Sequence, residues 1–160
     1  MIYLATDHAG FDLKEDIKKY LDEKEISYED MGALEYNQED DYPDFIYPAA
    51  KKVSDNPGSR GIILGGSGQG EAIVANKVSG IRAIVYYGSQ KEILNLSREH
   101  NDANILSLGA RFIDRSDIPF IIDTWLGSDF PKEERHARRI KKISEIEKYN
   151  SSVLPNEKFI

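Results

Sequence analysis

The sequence predicts a three-layer α/β fold: a doubly wound, five-stranded parallel sheet with helices on both faces. Three observations predict it. Short apolar runs alternate with segments of helical period along the chain. The strand segments read as near-continuous apolar runs, as strands covered on both faces do. The β-α alternation, with right-handed crossovers, then puts helices on the two sides of one sheet. In such folds ligands bind outside the carboxyl ends of the strands, where the strand order reverses.

Ile2 to Thr6 is the first strand, followed by Asp7-His8-Ala9-Gly10. From Phe11 the period changes. Leu13, Ile17, Tyr20 and Leu21 fall at i, i+4, i+7 and i+8 among lysines and acids, which makes an amphipathic helix. Ile26 to Met31 reads as a second strand, interrupted by Glu29 and Asp30, and Gly32 to Tyr42 as a polar loop. Pro43 suits the first position of a helix running to about Ser54, and Asn56-Pro57-Gly58 stops it. Ile62-Ile63-Leu64 is the third strand and runs straight into a glycine loop, Gly65 to Glu71, with a helix from Ala72 to Val78. A fourth strand (Ile81 to Tyr87), a helix (Gln90 to His100) and a fifth strand (Ala103 to Leu108) follow. Ser116 and Asp117 start a helix over Ile118 to Leu126, closed by Gly127. Pro131 opens the last helix, with Ile140, Ile143 and Ile146 on one side. Residues 1–149 form the expected single domain. Residues 150–160 show no pattern and are expected to be a flexible or subunit-contacting tail. Three segments fall at carboxyl ends of strands: Thr6 to Gly10, Gly65 to Glu71, and Gly109 to Arg111.

With 160 residues the chain fits one domain that buries a core without staples. It has no cysteine, which excludes a disulfide scaffold, a cysteine nucleophile and a cysteine zinc site. The net charge is 21 − 28 = −7, so neither a nucleic acid nor an anionic membrane is an expected partner. Mean hydropathy of −0.52 and the lack of a long apolar run speak against a membrane span. Met1 to Asp7 has no basic n-region and no room for a signal peptide. A cytoplasmic protein is the expectation.

Four glycines in the six residues Gly65 to Gly70 are the strongest local signal. Glycines let backbone N–H groups approach a ligand, and a following helix start adds positive potential. A tight turn without a ligand needs only one or two. Gly70 is followed by Glu71-Ala72, not the Lys-Ser/Thr of a nucleotide phosphate loop. The dinucleotide fingerprint belongs after the first strand and needs glycine where Glu71 stands. Two residues after Ser67 is Gln69, not the glycine of an esterase elbow. Glu71 has two readings: a first-turn acid favoured by the helix dipole, or a general base within reach of a bound sugar.

His8, His100 and His136 show no metal-ligand spacing. Arg135 and Arg139 lie four apart and share a helix face. Lys132 to Lys142 holds six basic and two acidic residues. Such a run is either a solvated face or a clamp for phosphate or carboxylate.

Taken together, these segments resemble the type B ribose-5-phosphate isomerase family, which includes the galactose-6-phosphate isomerase subunits. The resemblance runs from Thr6 to about Tyr149. It rests on Asp7-His8-Ala9-Gly10-Phe11, Asp41-Tyr42-Pro43, Gly65 to Glu71, Ala75-Asn76-Lys77, Gly80-Ile81-Arg82-Ala83, Glu99 to Asn104, Gly109-Ala110-Arg111, and Arg135 to Arg139. It implies aldose–ketose isomerisation of a sugar phosphate through a cis-enediolate, with no metal and no cofactor. One branch of the family uses a cysteine where Gly65 stands; the other carries Ser-Gly-x-Gly-Glu and uses the glutamate. Ser67, Gly68, Gly70 and Glu71 match the second.

The resemblance implies Glu71 as base and the N–H groups of the loop, with Gly66, Gly68 and Gly70, as holders of the enediolate oxygen. Ser67 then binds a substrate hydroxyl, and His100, with Asp7, assists ring opening. Asn101 holds a hydroxyl, and His8, Arg111, Arg135 and Arg139 bind phosphate, with His136 a weaker candidate. The site is expected between two subunits of a homodimer or a dimer of dimers. Ribose 5-phosphate is the default substrate, with allose, galactose and tetrose phosphates as the other choices. Tyr86-Tyr87-Gly88 matches no family pattern. The rival from another class is a sugar-phosphate sensor on the same fold, which needs His8, Arg135 and Arg139 but not both Glu71 and His100.

Overall fold

The computed structural model describes residues 1–88 and 90–153. Five strands form one parallel sheet: β1 Ile2–Thr6, β2 Tyr28–Asp30, β3 Arg60–Gly65, β4 Ala83–Tyr86 and β5 Ile105–Gly109. Their order is β2-β1-β3-β5-β4. The chain leaves β1 toward β2 and then crosses back to β3, so the strand order reverses between β1 and β3. The register aligns Thr6 with Leu64 and Gly65 with Gly109. The ends of β1, β3 and β5 therefore finish side by side.

Side-chain alternation divides the core. Ile2, Leu4, Ile62, Leu64, Leu106 and Leu108 face α1 (Phe11–Glu23), α4 (Glu92–Asn101) and α5 (Ile118–Gly127). Tyr3, Ala5, Ile63 and Ile105 face α2 (Pro43–Asp55) and α3 (Gln69–Ala75). The three-layer expectation is met, with helices on both faces.

Boundaries differ from the sequence reading where tertiary contacts override local pattern. β2 is only Tyr28–Asp30, an edge strand paired with β1. Its Asp30 accepts from the fully buried Lys14 at 2.6 Å and pairs with Lys18 at 2.9 Å. The helix after the glycine loop begins within it, at Gln69, not at Ala72. The last helix, α6, spans Glu134–Val153. It starts after Pro131 because Lys132 takes a positive φ of 58°. It continues through 150–153, which the sequence placed in the tail. Glu147 docks it by accepting from Gly80 N at 3.1 Å, and Ser151 Oγ donates to Glu147 O. Residues 154–160 of the expected tail lie outside the described residues. No described helix is long and apolar enough to cross a membrane.

Burial pushes the Asp30 carboxyl up, but hydrogen bonds from Lys14, Lys18 and Gly32 N outweigh it and hold it below the usual aspartate range. Asp30→Asn strands a buried ammonium and should cost about 3–5 kcal/mol at neutral pH. Because Asp30 is depressed in the fold, that contribution is full above about pH 4 and fades as the pH falls through the lower folded value. Urea denaturation at neutral and at acid pH should show the gap between the parent and Asp30→Asn closing at low pH. A gap of constant size would mean that Asp30 carries no ion pair.

Candidate active site

Parallel strands put every carboxyl end on one rim, and there the first group of residues converges. Thr6 Oγ1 donates to Asp7 O at 2.9 Å and to Leu64 O at 3.0 Å, tying the end of β1 to that of β3. Asp7 caps the following turn by accepting from Ala9 N at 3.0 Å. His8 is held by Asp40, which accepts from the His8 backbone N at 3.1 Å and lies 2.6 Å from the ring Nδ1. Tyr36 meets the His8 ring edge-on. The hydrogen bond to Asp40 raises the His8 imidazole above its usual range. Burial and Arg111 work against the rise, while Asp7 adds to it.

The glycine loop sits between these groups and the end of β5. Gly68 has φ of +75°, and a Cβ there would press on the Leu108 carbonyl carbon at 3.0 Å. Glycine thus serves both the turn and the close approach. Ser107 Oγ donates to Gly68 O at 2.6 Å and pins the loop. Ser67 is exposed at the tip. Gly65 provides the space for Glu71: a Cβ at residue 65 would fall on the Glu71 carboxyl. Glu71 is only 5% exposed. Burial pushes its carboxyl up, its own backbone N–H opposes that, and the neighbouring Asp7 raises it further. The Arg111 guanidinium lies across Gly66, with Cζ 3.1 Å from where a Cβ would be. The result is a buried carboxylate of raised affinity for protons, with its own backbone N–H and the Asp7 carboxyl as neighbours.

A second group lies elsewhere. His100 and Asn101 end α4, which runs back to the amino ends of the strands; Arg82, just before β4, donates to Asn101 O at 2.9 Å. Rim to rim, β5 spans four residue steps from Ile105 to Gly109, about 13 Å at ~3.3 Å each. His136 on α6 stacks on His100 with ring centroids 4.3 Å apart. Arg135 and Arg139 are exposed on α6 beside it. Within one chain, then, Asp7, His8, Gly66, Ser67, Gly68, Gly70, Glu71 and Arg111 come together. His100, Asn101, Arg135, His136 and Arg139 form a separate cluster.

The family model described as ribose/galactose isomerase matches residues 2–143. The chain belongs to that family. It is 42% identical over 149 residues to ribose-5-phosphate isomerase B of Mycobacterium tuberculosis, covering 92% of this chain and 90% of the relative. The fold is similar to that of Clostridium thermocellum ribose-5-phosphate isomerase B, with TM-score 0.86, 42% identity, and 93% and 98% of the two chains covered. It is equally similar to the Mycoplasma genitalium enzyme solved with bound ribulose-5-phosphate, with TM-score 0.86, 38% identity, and 92% and 95% covered.

Sequence reasoning missed two contributors. Asp40, the partner of His8, lies in a stretch whose sequence signals only a polar loop. Tyr42 stands in the sequence as part of a motif with no role attached, yet its hydroxyl lies 2.9 Å from where a Cβ on Gly70 would sit. Asp7, His8 and Asp40 have donor atoms within 4.8 Å of one another, a spacing a metal could use. The His8 nitrogen, however, is already engaged by Asp40, as suits a charged hydrogen-bonded pair.

If Asp40 sustains the His8 charge, Asp40→Asn should lower the pH at which the His8 ring titrates by NMR. An unchanged His8 titration would mean that the pair does not form in solution.

Proposed function

We propose that this chain interconverts ribose 5-phosphate and ribulose 5-phosphate, with Glu71 as the base. The observation that carries this reading is the buried Glu71 carboxyl, seated in the space left by Gly65 and beside Asp7, in a chain of this family. A base that must lift a carbon-bound proton works best with a pKa near the working pH, and burial supplies such a rise.

The furanose opens first: the O1 proton leaves, the C1–O4 bond breaks, and O4 takes a proton. His100, with Asp7, assists. Glu71 then removes the proton from C2, and the charge that develops on O1 is held by the amides of Gly68 and Gly70 and the glycine loop around them, with Gly66 leaving room for the approach. Glu71 returns its proton to C1, and the O2 proton passes to O1. The product is the ketose, with no redox partner, and the chemistry as proposed uses neither metal nor cofactor. Ser67 and Asn101 bind substrate hydroxyls. His8, Arg111, Arg135 and Arg139 hold the phosphate.

These roles need Glu71 and His100 around one substrate, although they lie at opposite rims of their own sheet. The site is therefore completed by a second copy of the chain. Its α4–α6 cluster meets the glycine loop, in a homodimer or a dimer of such dimers.

Glu71→Gln keeps size but loses the base. Assayed in EDTA, its kcat should fall by roughly 10²–10⁴, with solvent-deuterium exchange at C2 slowing in step and substrate still bound. Near-normal turnover and exchange would place the base elsewhere, and failure of the parent in EDTA would overturn the metal-free chemistry.

The raised Glu71 carboxyl predicts that kcat falls on the acid side with a midpoint above the ordinary glutamate range, since the base must be ionised. Asp7→Asn removes a negative neighbour and should move that midpoint to lower pH in a kcat–pH profile. A midpoint that stays put would mean that the limb does not report Glu71.

A further inference from the structure

The His136 ring is only 4% exposed and lies almost parallel to that of His100, 10° from coplanar. Its Nε2 accepts a hydrogen bond from Arg135 Nε at 3.1 Å, and Arg135 Nε also reaches Glu133 Oε2 at 3.2 Å. Accepting at Nε2 puts the proton of His136 on Nδ1 and makes the ring neutral. So buried a ring, held neutral, is poorly placed to meet a phosphate itself.

We propose that His136 is a positioning residue with two arms: its face sets the His100 ring for sugar-ring opening, and its Nε2 orients Arg135 for the phosphate. The proposal rests on the roles given above to His100 and Arg135. The stack fixes the plane of the imidazole that must meet the sugar oxygens. Holding Arg135 at Nε leaves the two terminal amino groups of its fork to meet the phosphate.

The electrostatics agree with this division. Two imidazolium rings at this separation would repel. Burial pushes His136 toward its neutral form, His100, Arg135 and Arg139 push it the same way, and Glu133 alone opposes them.

Two variants separate the arms. His136→Phe keeps an aromatic face and loses the acceptor; His136→Gln keeps a polar acceptor and loses the stack. The ketose 5-phosphate is a useful probe because its O5 is esterified and it has no furanose to open. His136→Phe should raise the KM for ribulose 5-phosphate while leaving saturated turnover of ribose 5-phosphate near that of the parent. His136→Gln should keep that KM and keep saturated ketose turnover, yet lose about tenfold or more in saturated aldose turnover, the scale of a misplaced catalytic group.

An unchanged KM in His136→Phe overturns the Arg135 arm. Equal loss in both directions, or none, in His136→Gln overturns the His100 arm. His100→Asn, measured alongside, reports on the underlying reading. If it loses no aldose turnover, His100 does not open the ring, and the His100 arm falls with that reading rather than by the failure of the stack.

Discussion

All five strands point the same way, and the placement of the functional residues follows from that. A parallel sheet collects its strand ends on one rim and sends each helix back to the other. Asp7, His8, Gly65 to Glu71 and Arg111 follow β1, β3 and β5 and share the first rim. His100 and Asn101 close α4 and belong to the second. One sheet cannot bring both groups to one small sugar, because its strands are longer than the gap a side chain can bridge. A closed two-fold pairing can do so, since each copy then offers its second rim to the first rim of the other.

On the first rim, small residues create chemistry by what they leave out. Gly65 has no side chain, so the Glu71 carboxyl can fold back over the strand end and be buried there. Burial without a cationic partner is costly for a carboxylate and moves it toward its protonated form. The same cost makes Glu71 a better proton acceptor when ionised. His8 shows the opposite case: its carboxylate partner Asp40 stabilises the charged ring, in keeping with the phosphate contact proposed for it.

Much of this was legible in the sequence. The 3.6-residue period of α1 and the apolar runs of β1 and β3 come from local burial patterns, and their positions held. The glycine loop was visible because its composition is extreme. Boundaries shifted where distant contacts decide them: α3 begins inside the loop although glycine is a poor helix former, and α6 outlasts its expected end because Glu147 docks on Gly80. The His8–Asp40 pair joins residues 32 apart in sequence, and no local pattern announces such a partner. The stack of His100 on His136 was hidden for the same reason. The sequence offers His136 only as a weaker phosphate candidate within a basic run.

The proposed division of one catalytic site between two chains is open to a direct test. Assayed on ribose 5-phosphate, Glu71→Gln and His100→Asn should each lose most of the parent turnover alone. Co-expressed in equal amounts, they should form mixed dimers in which one site inherits both intact residues. Statistical pairing then restores about a quarter of the parent activity. Activity no greater than the sum of the separate variants would mean that each chain carries its whole site, and would contradict the shared-site account.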